Sequence, residues 1–167
     1  MEVAYNSKFD VPTKTTVTLF KGCFILTEFE PVSGSVRLRS TVARKDLNNL
    51  VKTFNETNID LLTVSATDDQ LNIFAKDRLT NKLKQWTARV IDNSTLLISR
   101  ELPLDTLGIT SMACSDSLFK TDQVLCVLAG YANKAIIVKS NGFEEVLELQ
   151  PYKGVIGRQV TVSGDGK

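Results

Sequence analysis

Short runs of β-branched and aromatic residues, separated by turn-forming or polar stretches, recur from Val17 to Val162. That pattern commits the chain to a mainly β fold. The clearest run is Val36-Arg37-Leu38-Arg39-Ser40-Thr41-Val42. Val36, Leu38 and Val42 fall on one side of the alternation, and Arg37, Arg39 and Thr41 on the other, as in a strand buried on one face. Upstream, Val17 to Leu26 is interrupted by Lys21-Gly22 and reads as strand, turn or bulge, strand. Glu30 to Gly34 is a turn by its Pro and Gly chemistry. Further strands are expected over 60–66, 71–75, 83–91, 95–100, 109–114, 124–129, 135–138, 146–149 and 155–162. Val124 to Ala129 is apolar throughout, as in a strand covered on both faces. The polar stretch 76–82 and the stretch between Pro103 and Gly108 read as loops. Asp68-Asp69, Asp92-Asn93 and Asn141-Gly142 read as turns.

One helix interrupts the β pattern. Leu47, Leu50, Val51 and Phe54 follow at i, i+3, i+4 and i+7, which makes one apolar stripe, with Asp46 placed to cap the N-terminus. The expected fold is therefore an antiparallel β-sandwich or barrel of about eight to ten strands with one amphipathic helix at 46–55. The expected organisation is an extended arm over 1–16, a single β-rich domain over 17–162 and a loose tail over 163–167.

Two stretches echo one another. Glu28, Pro31, Gly34, Thr41 and Val42 align without gaps to Glu148, Pro151, Gly154, Thr161 and Val162. Either both use the same strand–turn–strand chemistry or the chain contains a structural repeat. Leu61 to Phe74 and Val124 to Val138 each resemble the central hairpin of a WD-type propeller blade. The resemblance covers these two hairpins, without the Gly-His and Trp-Asp dipeptides of that family. A chain of 167 residues would hold at most three or four blades of about 40–45 residues, too few for most closed rings.

The chemistry the sequence offers is sparse. Histidine is absent, which removes Ser-His-Asp and Cys-His nucleophile pairs and histidine-based metal sites. Cys23, Cys114 and Cys126 include no Cys-x-x-Cys. Buried free thiols are expected, with a Cys114–Cys126 bridge across neighbouring strands as the alternative. Asp68-Asp69 suits a turn, and Glu144, Glu145 and Glu148 lack the alternating oxygen ligands of a calcium loop. The glycines near Gly154 and Gly164 do not have the spacing of a phosphate loop. No catalytic residue, cofactor or metal is expected.

Lysine plus arginine number 20 against 19 acids, a net charge of +1, so no overall field draws in nucleic acid or an anionic membrane. No apolar signal core opens the chain and no stretch would span a membrane as a helix. The expected setting is cytoplasmic or a virion-type assembly, not secreted. Charge is concentrated locally. Arg37, Arg39, Arg44 and Lys45 form one basic group; Lys76, Arg78, Lys82, Lys84 and Arg89 form another around the sole Trp86. Arg37, Arg39, Arg44, Lys45, Lys82, Lys84 and Trp86 are accordingly the candidate interface residues. The expected function is a non-enzymatic structural or assembly subunit that self-associates or joins a larger protein assembly, using arms and strand edges. A monomeric adaptor binding a protein through the basic strand face is the alternative, and an enzyme with a carboxylate or lysine site a more remote one.

Overall fold

The computed structural model describes residues 14–66, 70–91, 94–105, 108–115, 124–129, 134–139, 144–148 and 160–161. Among them are twelve strands and one helix. The mainly β, antiparallel expectation holds. The sheets pack face to face and none closes into a barrel.

The strands form three four-stranded sheets, each a meander in chain order. Sheet 1 contains β1 (Lys14–Phe20), β2 (Cys23–Glu30), β3 (Ser35–Ser40) and the two-residue β4 (Asn55–Glu56), with α1 (Asn48–Thr53) between β3 and β4. Sheet 2 contains β5 (Ile59–Ala66), β6 (Gln70–Asp77), β7 (Lys82–Ile91) and β8 (Ser94–Asp105). Sheet 3 contains β9 (Ser111–Cys114), β10 (Val124–Ala129), β11 (Lys134–Lys139) and β12 (Glu144–Glu148). The first strands neighbour one another, β1 beside β5 and β5 beside β9. Successive four-stranded units built in this way share the layout of propeller blades. The hairpins singled out by their resemblance hold different places in it. Leu61 to Phe74 lies in β5–β6, the first pair of sheet 2, and Val124 to Val138 in β10–β11, the middle pair of sheet 3. The Glu28 and Glu148 echo does not mark the repeat, because Glu28 lies in the second strand of sheet 1 and Glu148 in the fourth of sheet 3.

Local chemistry explains the turns. Lys21 and Gly22 both take positive φ, 51° and 71°, giving a two-residue hairpin whose twist suits the flanking strands. At the next turn Gly34 takes φ 70° and its carbonyl accepts from Ile59 N at 2.9 Å, tying sheet 1 to the start of sheet 2. The Glu30 carboxylate accepts from Val32 N and Ser33 N at 2.8 and 2.7 Å, and the Arg78 guanidinium donates to the carbonyls of Pro31 and Val32.

Sheet 2 is the middle layer. Leu71, Ile73, Ala75, Trp86 and Ala88 point to sheet 1, where they meet Phe20, Ile25, Phe29, Val36 and Leu38. Leu47, Leu50 and Phe54 close this core from the helical segment, and α1 packs between β3 and β8. On the opposite face Phe74, Leu83 and Leu102 join Ile109, with Met112 and Cys114 packed against them. β6 is consequently buried along nearly its whole length. Its buried Asn72 Oδ1 accepts from Gln70, Gln85 and Thr87 at 3.1, 3.2 and 2.7 Å, which satisfies a polar group that would otherwise be costly there. Thr27 is the contrast. Its hydroxyl is fully buried on the core side of β2 and, among the described residues, is the one buried side-chain polar atom without a partner. Thr27→Val keeps the shape and removes the stranded hydroxyl. It is expected to raise stability by about 1 kcal/mol, read as a higher urea midpoint at unchanged slope.

Several elements differ from expectation. The helix has six residues rather than ten, and its cap position is Leu47 without a side-chain cap. Asp46 does not cap, because Arg44 engages its carboxylate in a two-point pair at 3.0 and 2.6 Å. β1 begins at Lys14, inside the stretch read as an arm, and Lys14, Thr15 and Thr16 pair with Phe29, Glu28 and Thr27. The rest of that arm, the 163–167 tail and the turns at Asp68-Asp69, Asp92-Asn93 and Asn141-Gly142 lie outside the described residues. So does the 155–162 strand, except Val160 and Thr161, which are not in a strand. β3 ends at Ser40, leaving Val42 exposed rather than on the buried face. Lys76 and Asp77 extend β6 instead of opening a loop, since each finds an opposite charge. β8 runs through Pro103 at a register shift opposite Lys82 and Leu83. As the edge strand of sheet 2, it tolerates a residue that cannot donate to a ladder. Cys114 is half-buried and its thiol donates to Ser65 Oγ at 3.6 Å. It pairs in register with Leu125 while Cys126 pairs with Ala113, so the register does not set the two cysteines opposite one another.

A candidate protein interface on sheet 1

The alternation of β1 and β2 is apolar on both sides, and only one side is covered. Thr18, Phe20, Cys23, Ile25, Thr27 and Phe29 face the core or its margin. Val17, Leu19, Phe24 and Leu26 face the other way. The register pairs Leu19 with Phe24 and Val17 with Leu26, so these four form one block across two strands. Val17, Leu19 and Phe24 are 58%, 60% and 53% exposed. The next strand adds charge to the same face. Leu26 is opposite Arg39, and Glu28 is opposite Arg37. Arg39 Nε lies 3.3 Å from Glu28 Oε2. The result is an apolar block bordered by two arginines and one acid. Contiguous apolar surface with a polar rim is characteristic of protein contact sites.

The predicted basic groups separate when placed on this frame. Arg37 and Arg39 are exposed together on the open face of β3, as their spacing implied. Arg44 and Lys45 lie in the loop before α1. The Arg44 guanidinium is held by Asp46 and by the Lys21 carbonyl, while Lys45 is exposed. Lys82 pairs with Glu101 at 2.6 Å across β7 and β8. Lys84 is half-buried and its ammonium lies 2.6 Å from Asp77 Oδ2. Trp86 is 4% exposed and meets Phe54 edge-on, with ring centroids 5.4 Å apart. It is a core residue and not a surface anchor. Arg37 and Arg39 thus keep company with the apolar block, while Lys82, Lys84 and Trp86 belong to another part of the molecule. The apolar block carried a sequence signal, namely two adjacent strands apolar at consecutive positions.

Two carboxylates near these lysines and arginines are strongly engaged. Burial pushes the Asp77 carboxyl up, but the bond from Lys84 and those from Thr80 N and Leu79 N outweigh it and hold it below the ordinary carboxylate range. The bond from Arg44 holds Asp46 down in the same sense. A depressed carboxyl contributes stability above its unfolded pKa of about 4, and that contribution is lost as pH falls through the folded value. Acid denaturation is therefore expected to steepen below about pH 4. The double variant Asp46→Asn, Asp77→Asn should be less stable at neutral pH with a flatter acid limb. Urea midpoints measured from pH 7 to pH 2 provide the check.

Neither protein-family models nor curated proteins provide a match to the chain.

Proposed function

We propose that the protein is a non-enzymatic assembly subunit that self-associates through the open face of sheet 1. The observation that carries this reading is the block Val17, Leu19, Phe24 and Leu26, on the face of sheet 1 turned away from the core it shares with sheet 2. Leaving three large apolar side chains more than half exposed, side by side on a flat sheet, is costly to solubility and is offset when another surface covers them. Arg37, Arg39 and Glu28 supply orientation at the border. The test is the double variant Leu19→Glu, Phe24→Glu. Both side chains lie off the core, so far-UV circular dichroism and the thermal midpoint should stay close to wild type. Self-association, followed by sedimentation velocity, should weaken at least tenfold. Unchanged association by a folded variant would refute the reading.

The exposure of Arg37 and Arg39 on that face also supports a second reading, in which the protein is a monomeric adaptor for an acidic protein. In that case Arg37→Glu with Arg39→Glu removes partner binding while wild type stays monomeric at all concentrations.

A further inference from the structure

The face of sheet 2 turned away from sheet 1 is buried at one end and open at the other. At the buried end, Leu83 and Leu102 pack with Ile109. These two leucines are cross-strand partners, and the β7–β8 ladder runs in constant register from them to Ile91 and Ser94. Every second residue therefore shares their face. Arg89 and Ile91 of β7 and Leu96, Ile98 and Arg100 of β8 all lie on it. Toward the far end Ile91, Leu96 and Ile98 are 48%, 48% and 46% exposed, with Arg89 and Arg100 exposed beside them.

The two arginines are held in place from below. The fully buried Asn72 accepts, through Oδ1, from the amide nitrogens of Gln70 and Gln85. Each glutamine keeps its carbonyl oxygen for another donor. Gln70 Oε1 accepts from Arg89 Nε at 3.1 Å, and Gln85 Oε1 accepts from Arg100 Nε at 2.6 Å. Arg39 and Arg44 are paired with Glu28 and Asp46. Among the described residues, neither Arg89 nor Arg100 has an acid partner. With Nε taken by glutamine, the Nη groups of each fork are left for an incoming carboxylate.

Spacing narrows the occupant. Arg89 lies directly across from Leu96, and Arg100 follows Leu96 four residues along β8, a span of about 13–14 Å, with Ile98 midway. An extended chain rises at the same rate and sets residues i, i+2 and i+4 on one face. We infer that this corner of sheet 2 binds an extended acidic segment of a partner protein. Its carboxylates at i and i+4 meet the two arginines, and an apolar residue at i+2 meets Ile98. Charge complementarity selects the acids. The apolar side chains between the arginines favour a polypeptide over a phosphate backbone, which gains nothing by covering them. Sheet 1 packs on the opposite face of sheet 2, so this site is separate from the block on sheet 1 and does not depend on self-association.

The experiment follows the fluorescence anisotropy of a labelled peptide with the core Glu-Thr-Val-Thr-Glu, whose β-branched residues favour the extended form. A second peptide carries glutamine in place of both glutamates. Wild type is expected to bind the first at least tenfold more tightly than the second. The double variant Arg89→Gln, Arg100→Gln should bind the first at least tenfold more weakly than wild type does, with an unchanged circular dichroism spectrum. Ile98→Asp, which sets an acid between the arginines, takes its place if that variant is unfolded, with the same loss expected. Arg37→Glu with Arg39→Glu should bind as wild type does. No saturable binding to wild type, equal affinity for the two peptides, or undiminished binding by the folded variant overturns the inference. Loss of binding in the Arg37→Glu, Arg39→Glu variant overturns it too, by moving the acidic segment to sheet 1. Displacement of the peptide by a tighter-binding single-stranded oligodeoxythymidine overturns it in favour of nucleic acid.

Discussion

Replacing Trp86 with alanine is expected to cost about 3–5 kcal/mol, the usual range for deleting a large aromatic from a packed core. For a domain whose total stability is about 5–15 kcal/mol, that is enough to leave the variant partly unfolded at 37 °C. The argument is geometric. Trp86 lies on the sheet 1 side of β7, among Ile73, Ala88 and the helical segment, with its ring edge-on to Phe54. Removing it empties the contact of Phe54 with sheet 2 and leaves a void that the flanking strands, hydrogen-bonded on both sides of β7, cannot close. Trp86 is the sole tryptophan, so the comparison is made by circular dichroism in urea and not by fluorescence. A loss below about 1 kcal/mol would be the behaviour of a surface residue and would contradict the assigned core.

Gly34→Ala is expected to destabilise by about 2–5 kcal/mol, although it adds a single methyl group. Left-handed φ costs an alanine about 1–2 kcal/mol, and displacing packed backbone adds about 1–3 kcal/mol. The second contribution follows from the distances. A Cβ at Gly34 would lie 2.5 Å from Ile59 N and 2.7 Å from Ile59 O, both backbone atoms at the start of sheet 2. The nearer of them, Ile59 N, donates the hydrogen bond to the Gly34 carbonyl that links the two sheets, so relief of the clash breaks the link. Gly22→Ala is the control. Gly22 has nearly the same φ, but nothing lies within 4 Å of its added Cβ, so only the left-handed cost of about 1–2 kcal/mol applies. Equal losses at the two glycines, measured by urea denaturation, would show that the approach of Ile59 is not what Gly34 accommodates.

How far the sequence anticipates this structure depends on the distance over which each feature is decided. The alternation in β3 could be read directly, because Val36 and Leu38 meet one core while Arg37 and Arg39 meet solvent. The stripe of Leu47, Leu50, Val51 and Phe54 was equally plain; Leu47, Leu50 and Phe54 are buried and Val51 is half-buried. The helix length was not, because the carboxylate expected at its cap is taken by Arg44 two residues away. Lys76 and Asp77 look like loop residues in isolation. Their strand character depends on Asp60 and Lys84, which neighbouring strands bring to them. The lysines around Trp86 suggested a surface site for the same reason. Lys84 is turned to Asp77 and the ring is turned inward, and neither fact is local. The interface on sheet 1 is the opposite case. Apolar residues at consecutive positions from Val17 to Leu26 imply strands that need cover on both faces, yet only the packing of sheet 2 shows which face is already covered.

The central claim is that the open face of sheet 1 serves self-association, and the mass of the unmodified chain in solution tests it most directly. Light scattering on a sizing column, run from nanomolar to high micromolar concentration, should show the mass rising from 18.5 kDa to a defined multiple as concentration increases. A mass that stays at one chain over the whole range would contradict the account and direct attention to Arg37 and Arg39 as a docking site for a different protein.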